Sequence, residues 1–207
     1  MEKQESIIEE QSIHLEVKMS KIKRSLILYQ TMSGNTEKVA LRFKKVFEKK
    51  GWVCDIFKVD KNMDAQNLPF DFQDYDFMCA GSGVYAALPG KEILDIIFKV
   101  SHQTRRAGKI VRVHRKIVPG PKTGVVFVTY AGTHLGPKEA EPSLSLLDLN
   151  IEHLKFKCVG RFSCPGGIGK HATPGYWHGD LRGRPSERDL QKAEIFLEEI
   201  LEEPSQK

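Results

Sequence analysis

The sequence predicts an α/β domain built on a doubly wound, largely parallel sheet. Five short apolar runs, residues 25–30, 52–59, 75–80, 124–130 and 156–162, have the length of buried strands. Longer stretches with helical spacing occupy residues 36–50, 91–105, 138–153 and 186–203. Parallel neighbours cannot be joined by tight turns and need crossovers of a dozen or more residues. Helical stretches between strands therefore imply a parallel sheet covered on both faces.

Each element has its own signal. The first strand contains the continuous run Leu26-Ile27-Leu28-Tyr29. In the first helix Val39, Phe43, Val46 and Phe47 recur at three- and four-residue spacing, which turns one stripe toward the sheet and leaves Lys44, Lys45, Glu48, Lys49 and Lys50 in water. Gly51 then supplies a stop. Cys54, Cys79 and Cys158 lie in the second, third and fifth apolar runs, where a thiol packs as a small hydrophobe. Leu190, Ala193, Leu197, Ile200 and Leu201 make the apolar side of the last helix, and Ser186-Glu187-Arg188-Asp189 resembles its N-terminal cap.

Composition narrows the function classes. A chain of 207 residues, 40% hydrophobic and 29% charged, has enough apolar material for a well-buried core and enough charge for a globular surface. No apolar run approaches the roughly 20 residues of a membrane-spanning helix. Several acids and no extended hydrophobic region between Met1 and Glu10 leave no secretory pattern, so a cytoplasmic location is the expectation. The four cysteines, with Cys164 preceding Pro165-Gly166-Gly167, have neither zinc-ligand nor CxxC spacing and read as free thiols. His171, His178 and Asp180 match no strong ligand motif, so no metal site is assigned.

In an open parallel sheet, ligands sit at the carboxyl ends of the strands. After strand one comes Thr31-Met32-Ser33-Gly34-Asn35-Thr36, a loop of hydroxyls, an amide and a glycine opening a helix. Such a loop can surround a phosphate: glycine allows close backbone approach, the helix start presents unsatisfied N–H groups, and hydroxyls donate further bonds. No cationic side chain lies in the loop. The plainer reading is a helix start capped by Ser33 or Asn35. After strand three comes the segment from Gly81-Ser82-Gly83-Val84-Tyr85 to Gly90, and after strand four Ala131-Gly132-Thr133-His134-Leu135-Gly136-Pro137. Tyr85 or Tyr130 could present an aromatic face or edge to a planar ligand.

With these three segments in this order, the chain resembles the flavodoxin-like family over roughly residues 25–203. The resemblance implies a three-layer α/β/α sandwich with a five-stranded parallel sheet in order 2-1-3-4-5, binding FMN. By position, Thr31, Ser33, Gly34, Asn35 and Thr36 would hold the phosphate. Ser82, Gly83, Val84 and Tyr85 would meet the ring from one side, and Thr129, Tyr130, Ala131 and Gly132 from the other. Gly83 stands where family members often carry proline, which implies a more flexible backbone beside the ring. Residues 1–24 would be a charged extension, disordered or packed on a partner, and residues 204–207 a short tail. Met19-Ser20-Lys21 would itself make a plausible start.

The functions implied are an electron carrier between protein partners, an NAD(P)H-dependent FMN or quinone-type reductase, or a non-catalytic interaction module on the same fold. Oligomeric state stays open. His134, in the loop expected to meet the ring, is the one candidate proton donor, against the alternative of a surface or supporting histidine. Residues 166–185, with His171, Tyr176, Trp177, His178 and Arg182, are too long for a tight connection and would cover the cofactor, form a partner surface or pack as an excursion.

The charge departs from that of electron-carrying flavodoxins, which are usually acidic. The net charge is +5, and much of the excess lies in Arg105, Arg106, Lys109, Arg112, His114, Arg115, Lys116 and Lys122, a stretch without an acid. This stretch reads as a solvated basic connection or short hairpin, as a dock for an acidic partner, or as an attractor for a phosphorylated dinucleotide. No recognition helix, zinc finger or single-strand-binding signature accompanies it, so nucleic acid is not expected. Positive charge near a flavin would favour its anionic reduced form and make the couple less reducing.

Overall fold

A computed structural model describes residues 22–108, 112–113, 116–117, 122–132, 135–167 and 180–202. Its main sheet contains β1 (Arg24–Tyr29), β2 (Val53–Lys58), β3 (Phe77–Tyr85), β7 (Lys122–Tyr130) and β8 (Phe156–Pro165), all parallel, in the order β2-β1-β3-β7-β8. Counted among themselves these strands run 2-1-3-4-5. A short strand β4 (Leu88–Pro89) folds back antiparallel onto the end of β3. Between β3 and β7 the chain also makes a separate two-stranded hairpin of β5 (Arg112–Val113) and β6 (Lys116–Ile117).

Helices α1 (Asn35–Lys49) and α4 (Glu187–Glu202) cover one face, and α2 (Lys91–Arg106) and α3 (Glu141–His153) the other. Strand alternation divides the core accordingly. Leu26, Leu28, Met78, Ala80, Val126 and Val128 pack with Ile93, Ile97 and Leu147. Ile27, Cys79, Val125 and Phe127 pack with Val39, Phe43, Phe47 and Leu197. Phe43 meets Phe127 edge-on with ring centroids 5.0 Å apart. Such a pair contributes about 0.5–1.5 kcal/mol beyond the area it buries.

Charge closes the seam between the first and last helices. Arg42 bonds Glu187 at 2.7 Å and Glu194 at 3.0 Å, Lys49 bonds Glu198 at 2.8 Å, and Lys50 bonds Glu202 at 2.6 Å. The solvated lysines of the sequence reading are thus partly matched across α1 and α4.

Three local outcomes differ from expectation. Residues 81–85 are not a loop: β3 continues through Tyr85, because β7 pairs with it as far as Gly83–Thr129 and β4 closes its end. The run is small because bulky rings lie on it; a Cβ at Gly81 would stand 2.1 Å from the Phe127 ring. The helix expected from residue 138 begins at Glu141, after a 3₁₀ turn at Gly136–Glu139, with a proline at the start of each. On β8 the alternation Phe156, Cys158, Gly160, Phe162, Cys164 is split by a bulge at Val159. Phe156 and Cys158 therefore face one core, Phe162 and Cys164 the other.

Of the expected extension, residues 1–21 lie outside the described part, and Arg24 already belongs to β1. Residues 204–207 also lie outside it, as do Thr133, His134, His171, Tyr176, Trp177 and His178. No helix among the described residues is long and apolar enough to cross a membrane, and no group of three or more metal-ligating side chains occurs among them.

Candidate functional site

At the carboxyl edge of the sheet, beneath the start of α1, the ends of β1, β3, β7 and β8 converge on a narrow cleft of about 20 Å³ that opens to solvent. The first loop lines it with Thr31, Ser33, Asn35 and Thr36, and β3 with Gly83, Val84 and Tyr85. The third side is Thr129, Tyr130 and Ala131, and the end of β8 adds Gly166. Segments about a hundred residues apart in sequence therefore share one wall-to-wall space, as the order of the parallel strands requires.

The helix start is the most polar part. Gly34 is the N-cap residue, with φ +79°, and no side chain caps the helix. The cap expected from Ser33 or Asn35 does not form, because both side chains are engaged elsewhere. The Asn35 amide donates to Ser33 Oγ at 2.9 Å and to the carbonyl of Gly167. Thr31 Oγ1 accepts from the Gly34 N–H at 3.0 Å. The first-turn amides of Asn35 and Thr36 have no partner within the helix, and no acceptor among the described residues meets them.

Each hydroxyl retains something to give. Thr31 and Ser33 accept within the loop, which leaves their O–H protons directed by whatever else enters the cleft. Thr36 and Thr129 share a hydrogen bond at 2.9 Å between their hydroxyls, consuming one of the two protons. Two acids lie nearby: Glu37 accepts from the Tyr29 hydroxyl at 2.7 Å, and Asp189, close enough to act on Tyr130, is paired with Arg184. An anion of several acceptor oxygens meets donors on every side here, together with the positive end of the helix dipole.

Tyr85 narrows the cleft. Its hydroxyl accepts from the Met32 N–H at 3.1 Å, and a Cβ at Gly83 would lie 2.5 Å from that oxygen. Burial raises the Tyr85 phenol above its ordinary range, outweighing the Met32 bond, and burial likewise raises Tyr130. The turn that presents Tyr85 is strained: Ala86 and Ala87 both have positive φ, 49° and 66°. Gly83 itself is not loose. Its N–H donates to the Gln30 carbonyl at 3.3 Å and its carbonyl accepts from Ser82 Oγ at 2.8 Å, so the flexibility expected at this position is taken up by the sheet.

Not every expected residue faces the cleft. Ser82 is fully buried, its hydroxyl also accepting from the Gly90 N–H at 2.8 Å. Gly34 acts through its backbone. Gly132 sits beyond the cleft wall, where a Cβ would meet the Glu139 carboxylate at 2.7 Å. His134 lies outside the described residues. Two contributors were missed. Gln30, 7% exposed, ties β1 to Gly81 and Gly83, and Gly166 with Gly167 bring the end of β8 against Asn35. The glycine pair was the available signal for the second; a lone glutamine offers none.

The basic stretch stands elsewhere. Its described ends, Arg105 and Arg106 at the close of α2 and Lys122 at the start of β7, stand at the amino edge of the sheet. From Lys122 to Tyr130, eight residue steps of about 3.3 Å separate the two edges by about 26 Å. Charges beyond about 10 Å are largely screened at 0.1 M salt, so the expected effect of this charge on a flavin in the cleft does not follow from the geometry. Lys122 is moreover engaged, donating to the Gln73 carbonyl and lying 5.7 Å from the Phe156 ring centroid.

No family model matches the chain, and no curated protein matches it. Solved structures do. Flavodoxin 2 of Bacillus cereus is similar at 18% identity and a TM-score of 0.56, over 87% of this chain and 99% of that one. The flavodoxin of Streptococcus pneumonia TIGR4 is similar at 16% identity and 0.57, over 86% and 97%. A flavone reductase is similar at 11% identity and 0.51, over 88% of this chain and 65% of that one. At these identities the likeness speaks for architecture, and it agrees with the strand order: the chain has a flavodoxin-like fold, a three-layer α/β/α sandwich.

Proposed function

We propose that the cleft binds FMN by its phosphate and that the protein carries electrons between protein partners. The observation that carries this reading is the uncapped start of α1, whose first-turn amides and neighbouring hydroxyls converge on the cleft. Thr31, Ser33, Asn35, Thr36 and the backbone at Gly34 would hold the phosphate. Gly83, Val84 and Tyr85 would flank the ring on one side, Thr129, Tyr130 and Ala131 on the other. The bound flavin supplies the capacity to take up and release electrons; the chain positions it and limits its contact with water.

Exposed apolar side chains favour a protein as the reacting partner. Met32, Leu88 and Leu135 are 79%, 52% and 55% exposed, on the segments that follow β1, β3 and β7. Their area suits a docking face around the cofactor. A nicotinamide-dependent reductase is the second reading, favoured by the likeness to a protein described as a flavone reductase.

Titration of the purified protein with FMN, followed by quenching of flavin fluorescence, tests the assignment. Saturable quenching, weakened by inorganic phosphate, is expected; absence of quenching overturns the flavin reading in favour of an interaction module. Mixing the loaded protein with NADH and NADPH in a stopped-flow instrument then separates the two redox readings. Slow bleaching agrees with a carrier, and rapid bleaching reverses the order.

A further inference from the structure

The amino edge of the molecule, opposite the cleft, carries a groove of a different character. Two adjoining hollows of about 350 and 240 Å³ share Ala65, Gln66 and Gln103 and run along the second half of α2. Lys99, His102 and Arg106 line the first, with the Phe98 ring 55% exposed beside them and 4.5 Å from the His102 ring. Leu68 and Phe70 form the apolar wall of the second. Neither Lys99 nor Arg106 makes a salt bridge among the described residues, though Lys99 is near enough to Asp64 to favour its charged form. Two acids line the hollows: Asp64 is held in its own turn by the Gln66 N–H at 3.0 Å and the Asn67 amide at 2.8 Å, and Asp71 accepts from the Gln73 N–H at 2.9 Å.

The sequence extends this cationic row. From Lys99 to Lys122 there are eight lysines and arginines and no acid, although the net charge of the whole chain is only +5, so the remainder is net acidic. Exposed aromatic and arginine side chains beside an apolar wall are the composition of an interface core. The described cations of this row, Lys99, Arg105 and Arg106, stand at the amino edge, about 26 Å from the cleft, too far to act on it, so their use is local.

We propose that the groove along α2 is a docking site for an acidic segment of a partner protein, one that carries an apolar side chain among its carboxylates. Lys99 and Arg106 meet the carboxylates, and Phe98 with the Leu68 and Phe70 wall takes the apolar side chain. The apolar wall of Leu68 and Phe70 suits an aliphatic or aromatic side chain of a peptide, and no single-strand-binding signature accompanies the basic residues. Docking here leaves the opposite edge accessible, so one partner can hold the protein while another reacts at the cleft. The binding does not depend on the flavin reading.

Anisotropy of a fluorescein-labelled glutamate-rich peptide with one central phenylalanine tests this on the full chain. Saturable binding that weakens with salt is expected. Lys99→Glu/Arg106→Glu should lower affinity by at least about tenfold, and Phe98→Ala by about fivefold, with circular dichroism and FMN quenching unchanged. No binding, equal binding to the double variant, or equal binding of a peptide lacking the phenylalanine overturns the proposal. Tighter binding of a single-stranded oligonucleotide, lost in the same double variant, overturns it in favour of nucleic acid.

Discussion

Relaxing the Ala86-Ala87 turn should stabilise the protein. The hairpin from β3 to β4 pairs Tyr85 with Leu88 and leaves two central residues, both at positive φ, as a type I′ turn demands. Alanine pays about 1–2 kcal/mol for each left-handed residue, because its Cβ crowds the following carbonyl. Ala87→Gly removes that cost, and the glycine loses about 0.5–1 kcal/mol of extra chain entropy on folding, for a net gain of about 0.5–1 kcal/mol. Ala86→Asn/Ala87→Gly, the preferred pair for this turn, should gain about 1–2 kcal/mol. In a chain of this size that raises Tm by about 2–8 °C. Ser143 Oγ donates to the Ala87 carbonyl at 2.9 Å, and glycine keeps that bond. Urea unfolding followed by tryptophan fluorescence reads the change; a midpoint that is unmoved or lower refutes strain at this turn.

Three further outcomes are expected. Thr36→Val removes the bond to Thr129 and one phosphate donor; FMN should bind about 10–100-fold more weakly while riboflavin, which lacks the phosphate, is unaffected. Equal loss for both flavins in fluorescence titration would place Thr36 outside the phosphate site. Tyr85→Phe frees the Met32 N–H and unlatches the cleft, so FMN should associate faster and bind about 2–10-fold more tightly, and weaker binding by the same assay would show the hydroxyl to be a ligand group instead. Burial pushes the Cys54 and Cys158 thiols up to about 11 and Cys164 up to about 12. Unfolded thiols ionise near about 8.5, so the unfolded state loses protons first and stability falls as pH rises from about 9 toward 12. Urea midpoints across that range should fall less steeply in Cys164→Ala, and an identical slope would count against the buried thiol as a cause.

The layer structure was legible because apolar runs and helical stripes alternate with little interruption, and each of Val39, Phe43, Val46 and Phe47 is buried as its spacing requires. The candidate phosphate loop was legible as a position, and the alternative of a side-chain cap there is not what the fold forms. Ser33 and Asn35 have cap chemistry, and only the fold shows that Asn35 is drawn away by Gly167. Residues 81–85 read as a loop since glycine and serine have low strand propensity; packing by Phe127 and Tyr85 overrides that propensity. The bulge at Val159 left no mark in a run whose period of two continues unbroken through it. The place of the ends of the basic stretch, by contrast, was available: a crossover helix ends, and the next parallel strand begins, at the amino edge, and charge alone drew attention from topology.

The ion-paired seam between α1 and α4 has a consequence for synthesis. The carboxylates that tie down the outer face of α1, Glu187, Glu194, Glu198 and Glu202, follow their partners by 145 to 152 residues. Asn35 likewise waits for Gly167. On the ribosome, α1 and its loop therefore remain without these neighbours until the segment from Gly167 to Glu202 has been made, and ordering of the candidate site is a late step.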